Sequence, residues 1–130
     1  MKHSLILLAA LSAQPLLAQD TSPQALIDQY SAEAGAAASP ENGQALFMAS
    51  HSGGKPDTPS CTTCHSVDPA KGGQARTGKP IAPLSPTANP ERFTDTKFVE
   101  KWFGRNCNSV LGRDCSAQEK ADFIAWLVSL

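Results

Sequence analysis

Cys61, Thr62, Thr63, Cys64 and His65 spell C-x-x-C-H. One helical turn would carry both thiols to one side, with an imidazole immediately after them. That spacing suits two thioether bonds to the vinyl groups of one porphyrin edge. His65 then reaches the iron from the same side. The pattern is the c-type haem attachment signature, and it predicts one covalent haem c at Cys61, Cys64 and His65. Three other chemistries use similar residues. A redox C-x-x-C sits at a helix start in an α/β fold, and no βαβ pattern is present. A zinc site needs two further ligands at matching spacing, whereas Cys107 and Cys115 lie eight apart without a nearby His. A plain Cys61–Cys64 disulfide would leave His65 without a role.

Haem attachment of this kind belongs to an exported protein, and the N-terminus agrees. Lys2 precedes an apolar run from Leu5 to Leu11 that is too short to span a bilayer. Residues 1–18 read as a signal peptide cut after Ala18, with the mature form in the periplasm. Loss of Lys2 leaves 10 basic against 12 acidic residues. This balance excludes a nucleic-acid binder, which needs a basic face against phosphates. No second apolar stretch is long enough for membrane insertion of the mature form.

The elements that must position the motif are short helices. Residues 19–39 read as an N-terminal extension with one helix, capped by Ser22 with Pro23 in its first turn. The cytochrome c domain spans 40–130. Ser39-Pro40 starts its first helix, over about 40–50, with Gly43, Leu46 and Phe47 inward. Residues 52–90 hold seven of the ten prolines and five glycines. A stretch so poor in regular structure needs an organiser other than a conventional core, and a large apolar cofactor supplies one. A third helix starts near a Thr94 cap, with Phe93 and Phe98 as a hydrophobic staple. Phe98, Val99 and Trp102 form its apolar stripe, and Gly104 loosens its end. Ser116 and Glu119 form a capping box for the last helix, where Phe123, Ile124, Leu127 and Leu130 recur at helical spacing. The fold class is all-α. In Gly43-x-x-x-Phe47 and Trp126 the chain resembles class I cytochromes c, which implies a close crossing of the first and last domain helices beside an aromatic contact.

The other face of the iron is the open question. Met thioether is the usual sixth ligand of class I cytochromes c, but the chain has only Met1 and Met48, both upstream of the motif. His51, Lys97 and Lys101 are alternatives, the lysines only after losing a proton. Arg105 to Cys115 joins the third helix to the fourth, where the distal side of such a haem is covered. By residue chemistry Asn106 and Asn108 are both candidates there, each equally readable as a cap or turn residue.

At this segment the resemblance becomes specific. Lys55 to Cys64 (KPDTPSCTTC), Arg76-Thr77-Gly78-Lys79 and Gly104 to Cys115 together resemble the Sphaeroides haem protein family, and the likeness covers essentially the whole mature chain. The resemblance implies an oxygen-binding cytochrome c with His/Asn ligation, in which Asn106 ligates the iron. It also implies a Cys107–Cys115 disulfide. The residues argue the same pairing independently, because these two thiols remain after haem attachment in an oxidising compartment.

An amide oxygen is a hard, weak ligand that ferric iron tolerates better than ferrous. The expectation is therefore an electron-transfer protein that loses Asn106 on reduction and then binds O₂, CO or NO. A terminal reductase of O₂ or a related oxidant is the enzymatic alternative, and a plain periplasmic shuttle is the other. The resemblance implies a dihaem cytochrome c and a membrane cytochrome b as redox partners. Pro83, in preference to Pro80, is the expected carbonyl acceptor for the His65 Nδ1–H. Arg76, Lys79, Trp102 and Arg105 are candidate propionate partners.

Overall fold

The computed structural model describes residues 19–130. The expected signal peptide and its cleavage point lie outside the described residues. The elements run α1 (Pro23–Ala34), α2 (Pro40–Met48), α3 (Thr62–His65), β1 (Gly73–Gln74), β2 (Pro80–Ile81), α4 (Thr96–Leu111) and α5 (Ala117–Val128). The all-α class holds, with one minimal antiparallel ribbon that pairs Gly73 with Ile81.

Helix starts follow local chemistry. The Ser22 hydroxyl accepts from the Ala25 N–H and that of Ser39 from the Asn42 N–H, each followed by Pro at the first helical position. Ser116 and Glu119 close their capping box, with reciprocal bonds of 3.1 and 2.8 Å. α4 departs from expectation. Its cap is Asp95, whose carboxylate accepts from the Phe98 N–H at 2.8 Å, and not Thr94. The Thr94 hydroxyl instead donates to the Glu91 carbonyl at 2.7 Å. No staple forms, because Phe93 turns into the core with φ 64° while Phe98 is left 47% exposed. Gly104 does not end α4 either. The helix runs on to Leu111 and stops at Gly112, whose φ of 71° is the left-handed geometry of a helix terminus.

The core lies where α2 and α1 pack on α5. Leu26, Phe47, Ala121, Ile124 and Leu127 are fully buried, and Tyr30 nearly so. Residues 19–39 therefore supply Leu26 and Tyr30 to the same core as the rest. Leu46 is only half-buried, and Leu130 lies exposed beyond the end of α5. α2 crosses α5 at Gly43. Any Cβ at Gly43 would overlap the Asp122 backbone, so only glycine permits the approach. Phe47, one turn on, then meets the Trp126 ring at 5.0 Å between centroids. Buried Asp122 accepts from the Ser39 N–H and from Gln118 Nε2, both at 2.7 Å, which ties the start of α2 to α5. Among the described residues, no helix is long and apolar enough to cross a membrane.

Candidate haem site

α3 is a single turn built around the motif. The His65 N–H donates to the Cys61 carbonyl at 3.1 Å, so the two thiols and the imidazole follow one helical path. Ser66, at φ 61°, ends the turn directly after His65. The preceding residue ties the turn to α2, through Ser60 Oγ donating to the Phe47 carbonyl at 3.3 Å. The ribbon backs the turn from the other side. Gly73 lies so close to the Cys64 carbonyl that a Cβ there would collide with it.

Neither motif cysteine is in a disulfide. Burial pushes the Cys61 thiol up to about 11, the opposite of the lowered value that a redox C-x-x-C uses. Burial, and then the positive charge of Arg92, push the His65 imidazole down to about 4. His65 is therefore neutral at ordinary pH, the form that binds metal. Its ring lies 6.5 Å from that of Phe47. Among the described residues no group of three or more His, Cys, Asp or Glu side chains is placed to hold a metal ion.

α4 supplies the second wall. Phe98, Trp102 and Asn106 recur at every fourth position and so form a row on one face. Phe98 and Trp102 are 47% and 38% exposed, with rings 6.0 Å apart. The apolar stripe expected for α4 is thus split: Val99 enters the core, and the two aromatics lie open beside it. An open aromatic row that ends in an amide fits one face of a flat apolar cofactor far better than it fits water. Two unbridged cysteines on one turn, a neutral imidazole and this row are together a donor set suited to haem.

The far end of α4 is stitched to the approach to Cys61. The Lys55 N–H donates to the Ser109 carbonyl at 2.8 Å, and Thr58 Oγ1 reaches the same carbonyl at 3.0 Å and Ser109 Oγ at 2.9 Å. Thr58 lies three residues before Cys61, and Ser109 one turn after Asn106. The stitch therefore sets the turn that carries Asn106 relative to the attachment turn. Sequence reasoning did not find this pair, because nothing local to either hydroxyl marks it.

The two candidate asparagines differ sharply. Asn108 Nδ2 donates to the Gly104 carbonyl at 2.8 Å and to Asp114 Oδ1 at 2.6 Å. Asn106 is exposed, and among the described residues its side chain has no hydrogen-bond partner. Between them Cys107 turns into the core. Its sulfur is in bonding contact with that of Cys115, with Cα atoms 5.5 Å apart. Arg105 to Leu111 is thus helix and not the connecting loop expected.

Other expected contacts are rearranged. The Pro83 carbonyl accepts from Arg92 Nε at 2.7 Å and, more weakly, from Asn89 Nδ2 at 3.4 Å. Among the described residues it has no hydrogen bond from His65. Arg76 pairs with Asp57 at 2.6 Å, and Arg105 lies 5.4 Å over the Trp102 ring. Lys79 is exposed in the ribbon turn, next to Pro80. His51 Nε2 lies 3.0 Å from the Leu46 carbonyl, and Lys97 and Lys101 are exposed. Arg92 was missed altogether, since a loop arginine carries no sequence signal of its partners.

Residues 33–127 match the family described as a domain of unknown function, DUF1924. The cytochrome c-type protein SHP of Cereibacter sphaeroides is 61% identical over 124 residues, 95% of this chain and 96% of that one. The chain belongs to the SHP family of cytochromes. The solved structure of oxidized SHP, described as an oxygen-binding cytochrome c, superposes with a TM-score of 0.83 at 63% identity, covering 85% of this chain and 99% of that one. The solution structure of cytochrome c'' from Methylophilus methylotrophus, described in terms of haem-ligand detachment, matches with a TM-score of 0.71 at 37% identity, covering 83% and 93%. The cofactor of the SHP family is a single covalent haem c, as C-x-x-C-H alone had indicated.

Proposed function

We propose that this chain is a monohaem electron-transfer cytochrome that binds a small diatomic gas when reduced. Cys61 and Cys64 would hold the haem, and His65 and Asn106 are the side chains that would ligate its iron, Asn106 in the ferric state only. The haem supplies a one-electron iron centre and, once ferrous, a coordination position for O₂, CO or NO. Everything else is done by side chains. Neutral His65 gives a permanent nitrogen donor. The Asn106 amide oxygen is a hard donor that weakens when the iron is reduced. The same amide carries N–H groups that would donate a hydrogen bond to a bound diatomic gas. Trp102 and Phe98 keep that side dry, with Arg105 and Arg76 as partners for the propionates. A Cys107–Cys115 disulfide stiffens the turn next to Asn106. The proposed compartment is the periplasm, after removal of residues 1–18, and electrons arrive from a partner cytochrome.

The observation that carries this reading is the contrast between two asparagines on one helix. The Asn108 amide is committed to Gly104 and Asp114, whereas that of Asn106 is uncommitted at the end of an open aromatic row. The relatives named for oxygen binding and for ligand detachment add support. Absorption spectra with CO test it. Wild-type ferrous protein is high-spin and binds CO fast. Asn106→Ala loses the wild-type ferric spectrum while His65 stays bound, and Asn106→Met gives a low-spin ferrous form that binds CO slowly. A low-spin, six-coordinate wild-type ferrous spectrum contradicts release. An unchanged ferric spectrum in Asn106→Ala moves the ligand to another residue.

A further inference from the structure

The Ser109 carbonyl lies in the last turn of α4, where no helical N–H follows to bond it. Two donors from one short loop fill it instead, the Lys55 N–H at 2.8 Å and the Thr58 hydroxyl at 3.0 Å. That spends the one hydrogen of the Thr58 hydroxyl. The Ser109 hydroxyl, 2.9 Å away, therefore donates to Thr58 Oγ1. Thr58 is buried, which keeps water from taking its place. No side chain separates the two backbones at this seam. A Cβ at Gly54 would overlap the Ser109 and Val110 carbonyls, and one at Gly53 that of Leu111. The loop is braced within itself. The Thr58 N–H donates to the Lys55 carbonyl at 3.0 Å, and the His51 N–H to the Pro59 carbonyl at 2.7 Å. It is also tied to both flanks of the attachment turn. Ser60 Oγ bonds the Phe47 carbonyl on one side. On the other, Asp57 pairs with Arg76 of the ribbon whose Gly73 packs on the Cys64 carbonyl.

We propose that Thr58 is a positioning residue for Asn106. Its hydroxyl holds the last turn of α4 against the loop that leads to Cys61, and so keeps the Asn106 amide within reach of ferric iron. The proposal rests on the assignment of Asn106 as the ferric ligand. Asn106 stands one turn before Ser109 on the same helix, so the seam fixes the backbone from which the amide projects. An amide oxygen is a weak donor and binds only where the chain already holds it in place. A small retreat of this turn then reads directly as release.

Ferric absorption and EPR spectra of the holoprotein, with Thr58→Val and Thr58→Ser beside wild type, test this. Thr58→Val keeps the shape but removes the hydroxyl. It shifts the ferric balance about fivefold toward the form without Asn106 bound, the effect of one net hydrogen bond. Thr58→Ser keeps the hydroxyl and restores the wild-type spectrum. Ser109→Ala removes only the second hydroxyl, and shifts the balance the same way by a smaller factor. The rate at which the ferrous protein binds CO stays at its wild-type value in all three, because Asn106 has already left. Wild-type ferric spectra in both Thr58→Val and Ser109→Ala overturn the proposal. So does a Thr58→Ser spectrum as altered as that of Thr58→Val, since the lost methyl group and not the hydroxyl would then matter. A CO rate changed by the same factor as the ferric balance also overturns it, as the mark of a general loosening. An unchanged ferric spectrum in Asn106→Ala would instead defeat the underlying ligand assignment, whatever Thr58→Val shows.

Discussion

Asn106 and Asn108 are two positions apart on α4, and their side chains face about 200° apart around it. That separation gives them opposite roles in a single experiment. Asn108→Ala removes bonds to Gly104 and Asp114 and lowers unfolding free energy by about 1 kcal/mol, leaving the ferric spectrum intact. Asn106→Ala changes stability by no more than ~0.5 kcal/mol, as for an exposed side chain without partners, and alters the spectrum. Urea unfolding followed beside the Soret band separates the two. C-x-x-C-H was legible because attachment chemistry is written in consecutive residues. The choice between the asparagines was not, because each amide's partners lie in a different part of the chain. The partners of Pro83 were not legible for the same reason: a carbonyl can serve several donors, and Arg92 and Asn89 both reach this one.

At the scale of elements, four helix starts were visible locally, and three were placed on the right residue. Ser22, Ser39 and Ser116 stand alone as caps, whereas Thr94 and Asp95 are adjacent and compete. Asp95 wins because Phe93 must turn into the core, which pulls Thr94 back onto Glu91. Gly104 misled for a physical reason. An interior glycine costs a helix about 1 kcal/mol, which tertiary contacts readily offset. Past Gly104, α4 is held by the stitch to Lys55 and Thr58 and by the close Cys107–Cys115 pair. Cys115→Ser should cost about 2–3 kcal/mol for so short a closed loop, measured by thermal unfolding. Mass spectrometry of the unreduced wild-type protein should show two hydrogens fewer than the dithiol form. At the head of α5, bonds from Arg113 hold the Glu119 carboxyl below its usual range. The unfolded chain therefore takes up this proton first as pH falls. The stabilisation is full above the ordinary value of 4.5 and is lost as pH falls through the lower folded value. Glu119→Gln should flatten the dependence of stability on pH in that acid window, as read by urea midpoints.

At the scale of the molecule, the fold depends on how closely α2 can lie on α5. Gly43→Ala sets a methyl group against the Asp122 backbone, which has no rotamer to yield. A loss of about 3 kcal/mol follows. Phe47→Ala removes a fully buried ring that touches Trp126 and costs about 3–5 kcal/mol. Chemical denaturation of both variants checks these values. The class I resemblance already placed this crossing, since its Gly and aromatics sit at fixed helical offsets.

Asp20 links the first of the described residues to α4. Its carboxylate accepts from the Thr96 N–H at 2.8 Å and from the Thr96 hydroxyl at 3.0 Å, while the Asp20 and Thr21 N–H groups donate to the Thr94 carbonyl. The first turn of α4 therefore has two acidic caps, Asp95 from its own segment and Asp20 from the far end of the sequence. If residues 1–18 are removed as proposed, the position of the cut has a tolerance measured in single residues. Cleavage after Ala18 leaves Asp20 as the second residue, with its N–H in a peptide bond and its carboxylate in place. A cut one residue later turns that N–H into a charged ammonium group beside Thr94. A cut two residues later removes the cap from the helix that carries Asn106.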